Sequence, residues 1–297
     1  MSSGQWDQIQ FDKLPAKASK KYVSDFRRHC DERYQEFLDN LKSGEKTVKS
    51  TGIQSHEIVA NILDTENTDE VTVLESQWFD LKNRLKANLR NVVPMIDVFG
   101  SMEGGDPSPK LISMALGLLV AECNGDNNQR ERDKTWEYKA LTFSKSPEIH
   151  KICGSTLKEK FENINNMYWN GGNTDIYLAF DRLLEANDDG YPLPTTLVVF
   201  SDMEFDANTH GEDNETAYEN LCQKFRKRKL MPPSIVFWNL RYSCEAIPVS
   251  STCPGVTMLS GYSADLLQFF LEDFNEMSPI KMLKRILSIY PEFTIID

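Results

Sequence analysis

Histidine and cysteine are sparse in this 297-residue chain, and neither is spaced for metal or redox chemistry. The four histidines, His29, His56, His150 and His210, form no His-x-x-x-His pair and no Cys–His ligand spacing. That excludes the common zinc-site patterns, and each histidine is read as a surface or packing residue. The six cysteines, at 30, 123, 153, 222, 244 and 253, include no Cys-x-x-Cys pair, and several fall within segments that read as core helices. This usage is that of reduced, buried thiols, with a bridge between Cys244 and Cys253 disfavoured, and it sets the expectation of a cytoplasmic or nuclear protein. No apolar run reaches the ~18 residues of a membrane span, and the polar stretch Met1 to Gln10 sets the expectation of no secretory signal. Positive charge is in deficit: 33 Lys and Arg face 45 Asp and Glu, for a net charge of -12 and a pI near 4.9. Sequence-independent nucleic-acid binding needs the opposite balance, because a basic surface must displace counterions from phosphates.

Several catalytic signatures are missing as well. Ser101 follows Gly100 directly, so there is no Gly-x-Ser-x-Gly nucleophile elbow. No Gly-Lys-Ser or Gly-Lys-Thr closes a phosphate-binding loop. The first strand is followed by Asp97-Val98-Phe99, which lacks the second carboxylate of an aspartate-based phosphoryl-transfer site. The expectation is a binding protein rather than an enzyme.

The chain does have two grammars. Residues 1–90 read as a helical extension. Tyr22, Phe26, Cys30, Phe37 and Leu41 recur at helical spacing before Gly44, Ser55 stands where a cap would start a short helix, and Leu74, Trp78, Leu81, Leu85 and Leu89 form an apolar stripe. From Asn91 strands and helices alternate. Strands are predicted at 92–97, 138–143, 148–153, 196–200, 235–238 and 256–259, the second and third joined as a hairpin. Helices are predicted at 110–123, 157–164, 175–185, 215–229, 264–274 and 280–287. The fold class is therefore α/β: a doubly wound, mostly parallel sheet of about six strands, spanning 91–275, preceded by the helical extension and followed by a C-terminal helix and tail over 276–297.

In such a sheet, ligands bind beyond the carboxyl ends of the strands, where strand order reverses. Three polar clusters fall at such places: Asp97-Val98-Phe99-Gly100-Ser101-Met102 after the first strand, Gly171-Gly172-Asn173-Thr174-Asp175 before a helix, and Ser201-Asp202-Met203-Glu204 after the clearest strand. Carboxylates and hydroxyls from separate loops make a hard-oxygen donor set suited to a small divalent cation.

These motifs, in this order, resemble the von Willebrand factor A (vWA) domain family and its metal-ion-dependent adhesion site, Asp-x-Ser-x-Ser with a distant Thr and a distant Asp. Asp97, Ser101, Thr174 and Asp202 stand at the first Asp, the second Ser, the Thr and the last Asp. The words Gly171-Gly172-Asn173-Thr174-Asp175, Ser201-Asp202-Met203-Glu204-Phe205 and Phe237-Trp238-Asn239-Leu240-Arg241 look like a branch related to the carboxyl-terminal domain of the Ro (TROVE) RNA-binding proteins. The resemblance covers roughly 91–274. It implies Mg²⁺, or Mn²⁺ or Ca²⁺, held by those four residues and completed by an acidic residue of a protein partner. It also implies a longer parent chain and a rim formed by Phe99, Glu103, Asp106, Asn173, Asp175 and Glu204; the default reading of Glu103, Asp106 and Glu204 is solvated loop charges.

The pattern is broken at Phe99, which stands where the family has its first Ser. One ligand hydroxyl is gone, and a benzyl group either obstructs the site or turns into the core. Two other readings stay open: an RNA-associated scaffold in the Ro manner, and a structural domain with a vestigial metal site. Residues 1–90 are too few for the helical ring through which the Ro relatives bind RNA. The basic stretch Lys224 to Lys229 reads as a helix carboxyl end complemented by positive charge.

Overall fold

Apolar spacing dictates a helical layer before Asn91, and the structure, a computed structural model, contains it. The structure describes residues 6–85, 91–124, 135–167, 176–203, 214–241, 255–263, 266–267 and 284. Helices α1 (Ala16–Lys21), α2 (Val23–Ser43), α3 (Ser55–Asp64) and α4 (Thr68–Leu85) occupy this segment. Gly44 ends α2 with φ 79, a left-handed conformation that costs glycine little. Two local expectations are corrected. Helix α2 is kinked at Cys30 and leaves Tyr22 at its junction with α1, so the five-residue stripe is not one continuous helix face. The cap of α3 is Gln54, not Ser55: Glu57 reaches back to the Gln54 amide at 2.8 Å and completes a capping box.

The alternating segment forms β1 (Val92–Ile96), α5 (Pro109–Cys123), β2 (Lys139–Thr142), β3 (Ile149–Lys151), α6 (Leu157–Asn165), α7 (Ile176–Asp188), β4 (Thr196–Ser201), α8 (Asn214–Lys227), β5 (Ser234–Asn239) and β6 (Val256–Ser260). The six strands lie in the order β3-β2-β1-β4-β5-β6, parallel throughout except for the β2–β3 hairpin. Pro94 is tolerated in the central strand because the ladder to β2 starts only at Met95. The helices expected over 264–274 and 280–287 fall outside the described residues, apart from Leu266, Leu267 and Lys284. So do Leu89, Trp169, Cys244, Cys253 and His210.

Both faces of the sheet are covered, which is why its strands are continuously apolar rather than alternating. Val93, Met95, Leu197, Val199, Ile235 and Phe237 pack with Ile176, Phe180 and Leu183 of α7 and with Leu221 and Phe225 of α8. On the other face, Ile96, Val198, Phe200, Val236 and Trp238 join one core with α5, α6, α3 and α4. The stripe Leu74, Trp78, Leu81 and Leu85 is buried in that core, so it serves as a packing face. A third cluster, built on Phe11, Phe26, Tyr34, Phe37 and Leu38, fills the space around α2 and reaches Val73 of α4.

A buried charge joins the extension to the sheet domain. Glu122, near the end of α5, has a side chain with no exposed surface. One of its carboxylate oxygens accepts from Trp78 Nε1 at 2.6 Å, and the other accepts from Lys160 Nζ at 2.5 Å. Lys82 Nζ lies 3.9 Å away. Beside this cluster, Glu75 of α4 accepts from the Leu157 amide at 2.7 Å, the first residue of α6, and burial raises its pKa above the ordinary carboxylate range. Among the described residues, no helix is long and apolar enough to cross a membrane.

Candidate functional site

Strand β1 has β2 on one side and β4 on the other, so strand order reverses between β1 and β4. The register Ile96↔Phe200 and Phe200↔Trp238 brings the carboxyl ends of β1, β4 and β5 level with one another. The next residues along the three strands therefore emerge at one edge, the position where open α/β sheets bind ligands. Asp97 continues the ladder, its amide donating to the Phe200 carbonyl at 3.1 Å. Ser113 of α5 donates to the same carbonyl at 3.1 Å and pins the helix to this end of the sheet.

Asp97 and Asp202 are each only 2% exposed. At that depth a carboxylate needs counter-charge or hydrogen bonds to remain ionised. Asp97 receives the Phe99 amide on one oxygen at 2.9 Å and the Ser201 hydroxyl on the other at 2.7 Å. The Ser201 oxygen in turn accepts from the Met203 amide at 3.1 Å, so one buried hydroxyl fixes the loops after β1 and β4 relative to each other. Met203 is itself buried and left-handed at φ 66, a conformation uncommon for any residue but glycine and one that clusters at functional turns.

Arg241 reaches the same edge from β5. Its amide donates to Asn239 Oδ1 at 2.8 Å, its Nη2 donates to the Ser101 carbonyl, and its Nη1 lies 3.8 Å from Asp202 Oδ2. Gly104 borders the guanidinium, with an added Cβ falling 3.7 Å from Nη2. One cationic side chain therefore touches all three loops.

Phe99 does not turn into the core. It is 47% exposed at the rim, on the residue that leads into a short 3-10 turn over Gly100–Glu103. Glu103 pairs with Lys110 at 3.3 Å, and Asp106 is exposed. Asp97, Ser101 and Asp202 are thus brought to one edge, with Phe99, Glu103 and Asp106 on the loop beside them. Thr174, Asn173, Asp175 and Glu204 lie outside the described residues. Ser201 and Arg241 were missed as site residues; Ser201 could have been found from its position, as the polar last residue of an otherwise apolar parallel strand. In the basic stretch at the end of α8, Lys224 lies 2.7 Å from Asp181 and Arg228 2.7 Å from Asp188.

A doubly wound, mostly parallel sheet with a helical extension is a vWA-like, Rossmann-type α/β fold. By sequence, the chain belongs to the family described as Domain of unknown function (DUF7788), which matches residues 91–285; a second, Domain of unknown function (DUF2828), matches residues 1–90. An uncharacterized protein of Acanthamoeba polyphaga mimivirus is 32% identical over 98% of this chain and 51% of its own length, so the chain spans about half of that relative. The solved structure of the Deinococcus radiodurans RO (RSR) protein aligns with a TM-score of 0.51 and 16% identity over 84% of this chain and 50% of that one. At that identity the likeness is one of fold alone.

Proposed function

We propose that this chain is a protein-interaction module of vWA type, which engages an acidic side chain of its partner at the carboxyl edge of β1, β4 and β5. The observation that carries this reading is the convergence of Asp97 and Asp202, both nearly fully buried, with Arg241 at the sheet's switch point. One of the two carboxylates, that of Asp202, lies 3.8 Å from the Arg241 guanidinium. The donor chemistry fits a hard divalent cation such as Mg²⁺ or Mn²⁺, or Ca²⁺: Asp97, Ser101 and Asp202 would hold it, with Thr174 joining them in the family pattern. Such an ion supplies concentrated positive charge and an exchangeable position that a partner carboxylate fills.

The chain's own residues provide the rest. Ser201 and the Phe99 amide orient Asp97 by hydrogen bonds to its two oxygens. The half-exposed Phe99 ring offers an apolar contact beside the charged centre, the kind of aromatic anchor that carries binding energy at interfaces. Nucleic acid is the weaker reading, because the net charge is -12 and two cations of the α8 basic stretch, Lys224 and Arg228, are paired with acids of α7. An edge without a chemical task, the vestigial-site alternative, is less in keeping with two buried carboxylates and a left-handed Met203 kept at one turn.

Selection of a random peptide library on the immobilised full chain, in Mg²⁺ and again in chelator, tests the proposal. The expected outcome is enrichment of peptides bearing Asp or Glu, whose binding is lost on Asp202→Ala and retained on Lys158→Ala, far from the edge. Enriched peptides without an acidic residue, or unchanged binding by Asp202→Ala, refute it.

A further inference from the structure

Arg241 has a position that partner recognition alone does not require. Its backbone is fixed by Asn239, and its guanidinium spans from the Ser101 carbonyl to Asp202, closing the edge from the β5 side. The Asp202 side chain is 1% exposed, whereas that of Arg241 is 28% exposed. The carboxylate is fixed in place, and the guanidinium is the member of the pair with a route to solvent. A separation of 3.8 Å is that of an ion pair rather than of a short hydrogen bond.

We infer that Arg241 is an internal counter-cation that latches the edge closed and competes with a divalent cation for Asp202. This inference rests on the reading of the edge given above and adds a positioning residue with a regulatory consequence. A guanidinium and a divalent ion repel each other at the distance of a shared carboxylate, because the partly buried site screens them poorly. For the ion to bind, Arg241 must withdraw from Asp202 and from the Ser101 carbonyl. Its long, flexible stem allows that without movement of the strands. The Ser101 loop is then released in the same step, so cation binding and loop release become one event. Closed, the edge carries a fixed monovalent charge. Open, it carries the ion, and Arg241 stands at the rim, where it can meet a second partner oxygen.

The test is calorimetric titration of Mn²⁺ into the full chain and into Arg241→Gln, Arg241→Lys, Asp202→Ala and Arg241→Gln/Asp202→Ala. Gln keeps a donor for the Ser101 carbonyl and removes the charge; Lys keeps the charge. The latch predicts that Arg241→Gln binds Mn²⁺ at least tenfold more tightly than the parent, that Arg241→Lys stays within about threefold of the parent, and that both Asp202 variants bind none. A merely structural role for Arg241 would weaken binding instead. Equal or weaker binding by Arg241→Gln overturns the latch while leaving the cation reading intact. Absence of binding in the parent and in Arg241→Gln alike overturns the cation reading and the latch with it. A second measurement needs no variant: phenylglyoxal labelling of Arg241 in the parent chain, followed by peptide mapping, should speed up at least threefold with saturating Mn²⁺. An unchanged labelling rate in a sample that binds Mn²⁺ overturns the competition.

Discussion

Replacing Glu122 by Ala should be among the most costly single substitutions in this chain. The side chain has no exposed surface and is held by the Trp78 indole, the Lys160 ammonium and, more distantly, Lys82. Loss of the carboxylate strands two lysines whose side chains are each 18% exposed and leaves the indole N–H without its acceptor. Breaking a buried pair from one side costs about 3–5 kcal/mol. Water reaching the lysines places the expectation at the lower end, roughly 3 kcal/mol, out of a total stability on the order of 5–15 kcal/mol. Glu122→Gln keeps an acceptor for the indole and loses the charge, and should cost about half as much, ~1.5 kcal/mol. Glu122→Leu with Lys160→Met removes both charges and should cost less than Glu122→Ala alone, since apolar replacement of a buried pair is often near neutral. The assay is urea unfolding followed by tryptophan fluorescence and by circular dichroism on the same samples. Because Trp78 lies on α4 and Glu122 on α5, both probes should move together, with one transition in each variant. A cost below about 1 kcal/mol for Glu122→Ala, or fluorescence and dichroism midpoints that separate in the parent chain, would refute the reasoning.

Four further outcomes are expected. Glu75 is an acid whose pKa burial raises, so the folded chain holds its proton to higher pH than the unfolded chain does. Its contribution is most favourable below the ordinary carboxylate pKa and is lost as pH rises through the folded value; Glu75→Gln, which keeps an acceptor for the Leu157 amide, should therefore gain stability relative to the parent as pH increases from 4 to 8, measured by urea unfolding at each pH. Gly117→Ala would place a Cβ 2.5 Å from Ile96 side-chain atoms and should cost about 1–3 kcal/mol by overpacking, with a lower midpoint in thermal denaturation. Lys229 is exposed and left-handed at φ 57, so Lys229→Gly should raise stability by about 0.5–1 kcal/mol, read as a shift in the urea midpoint at constant slope. Phe99→Ser truncates a half-exposed ring and should change stability by less than about 0.5 kcal/mol; under the proposed function it should also strengthen Mn²⁺ binding in calorimetry, and unchanged or weaker binding would count against a hydroxyl deficit at that position.

Much of the architecture follows from periodicity. Strands buried on both faces announce themselves as short apolar runs, and 196–200 and 235–238 each fall within one strand of the structure, extended by a residue or two. Helix ends were harder to read, because caps depend on which side chain reaches back: at Gln54 and Ser55 both candidates are polar and adjacent, and only the geometry of Glu57 selects the first. For the site, Asp97 and Asp202 were legible because each is a lone acid directly after an apolar strand. Arg241 was not, since its importance comes from a guanidinium that bridges loops separated by more than a hundred residues, and no local pattern encodes that. Glu122 was overlooked for a related reason. A single acid at the end of the run Leu118-Leu119-Val120-Ala121 looks like the point where a helix meets solvent, when its partners are an indole from α4 and a lysine from α6.

The two families that match this chain meet at residues 90 and 91, yet the hydrophobic cluster that holds Ile58, Ile62, Leu74 and Trp78 also holds Ile112, Leu116, Phe200 and Trp238. A boundary drawn from sequence similarity therefore cuts through a single interior. Recombination that moved the sheet domain into another protein would have to bring the helices along or supply a replacement face for α5 and α6. Inheritance is expected to follow the core rather than the boundary, with the two segments travelling together as one heritable unit.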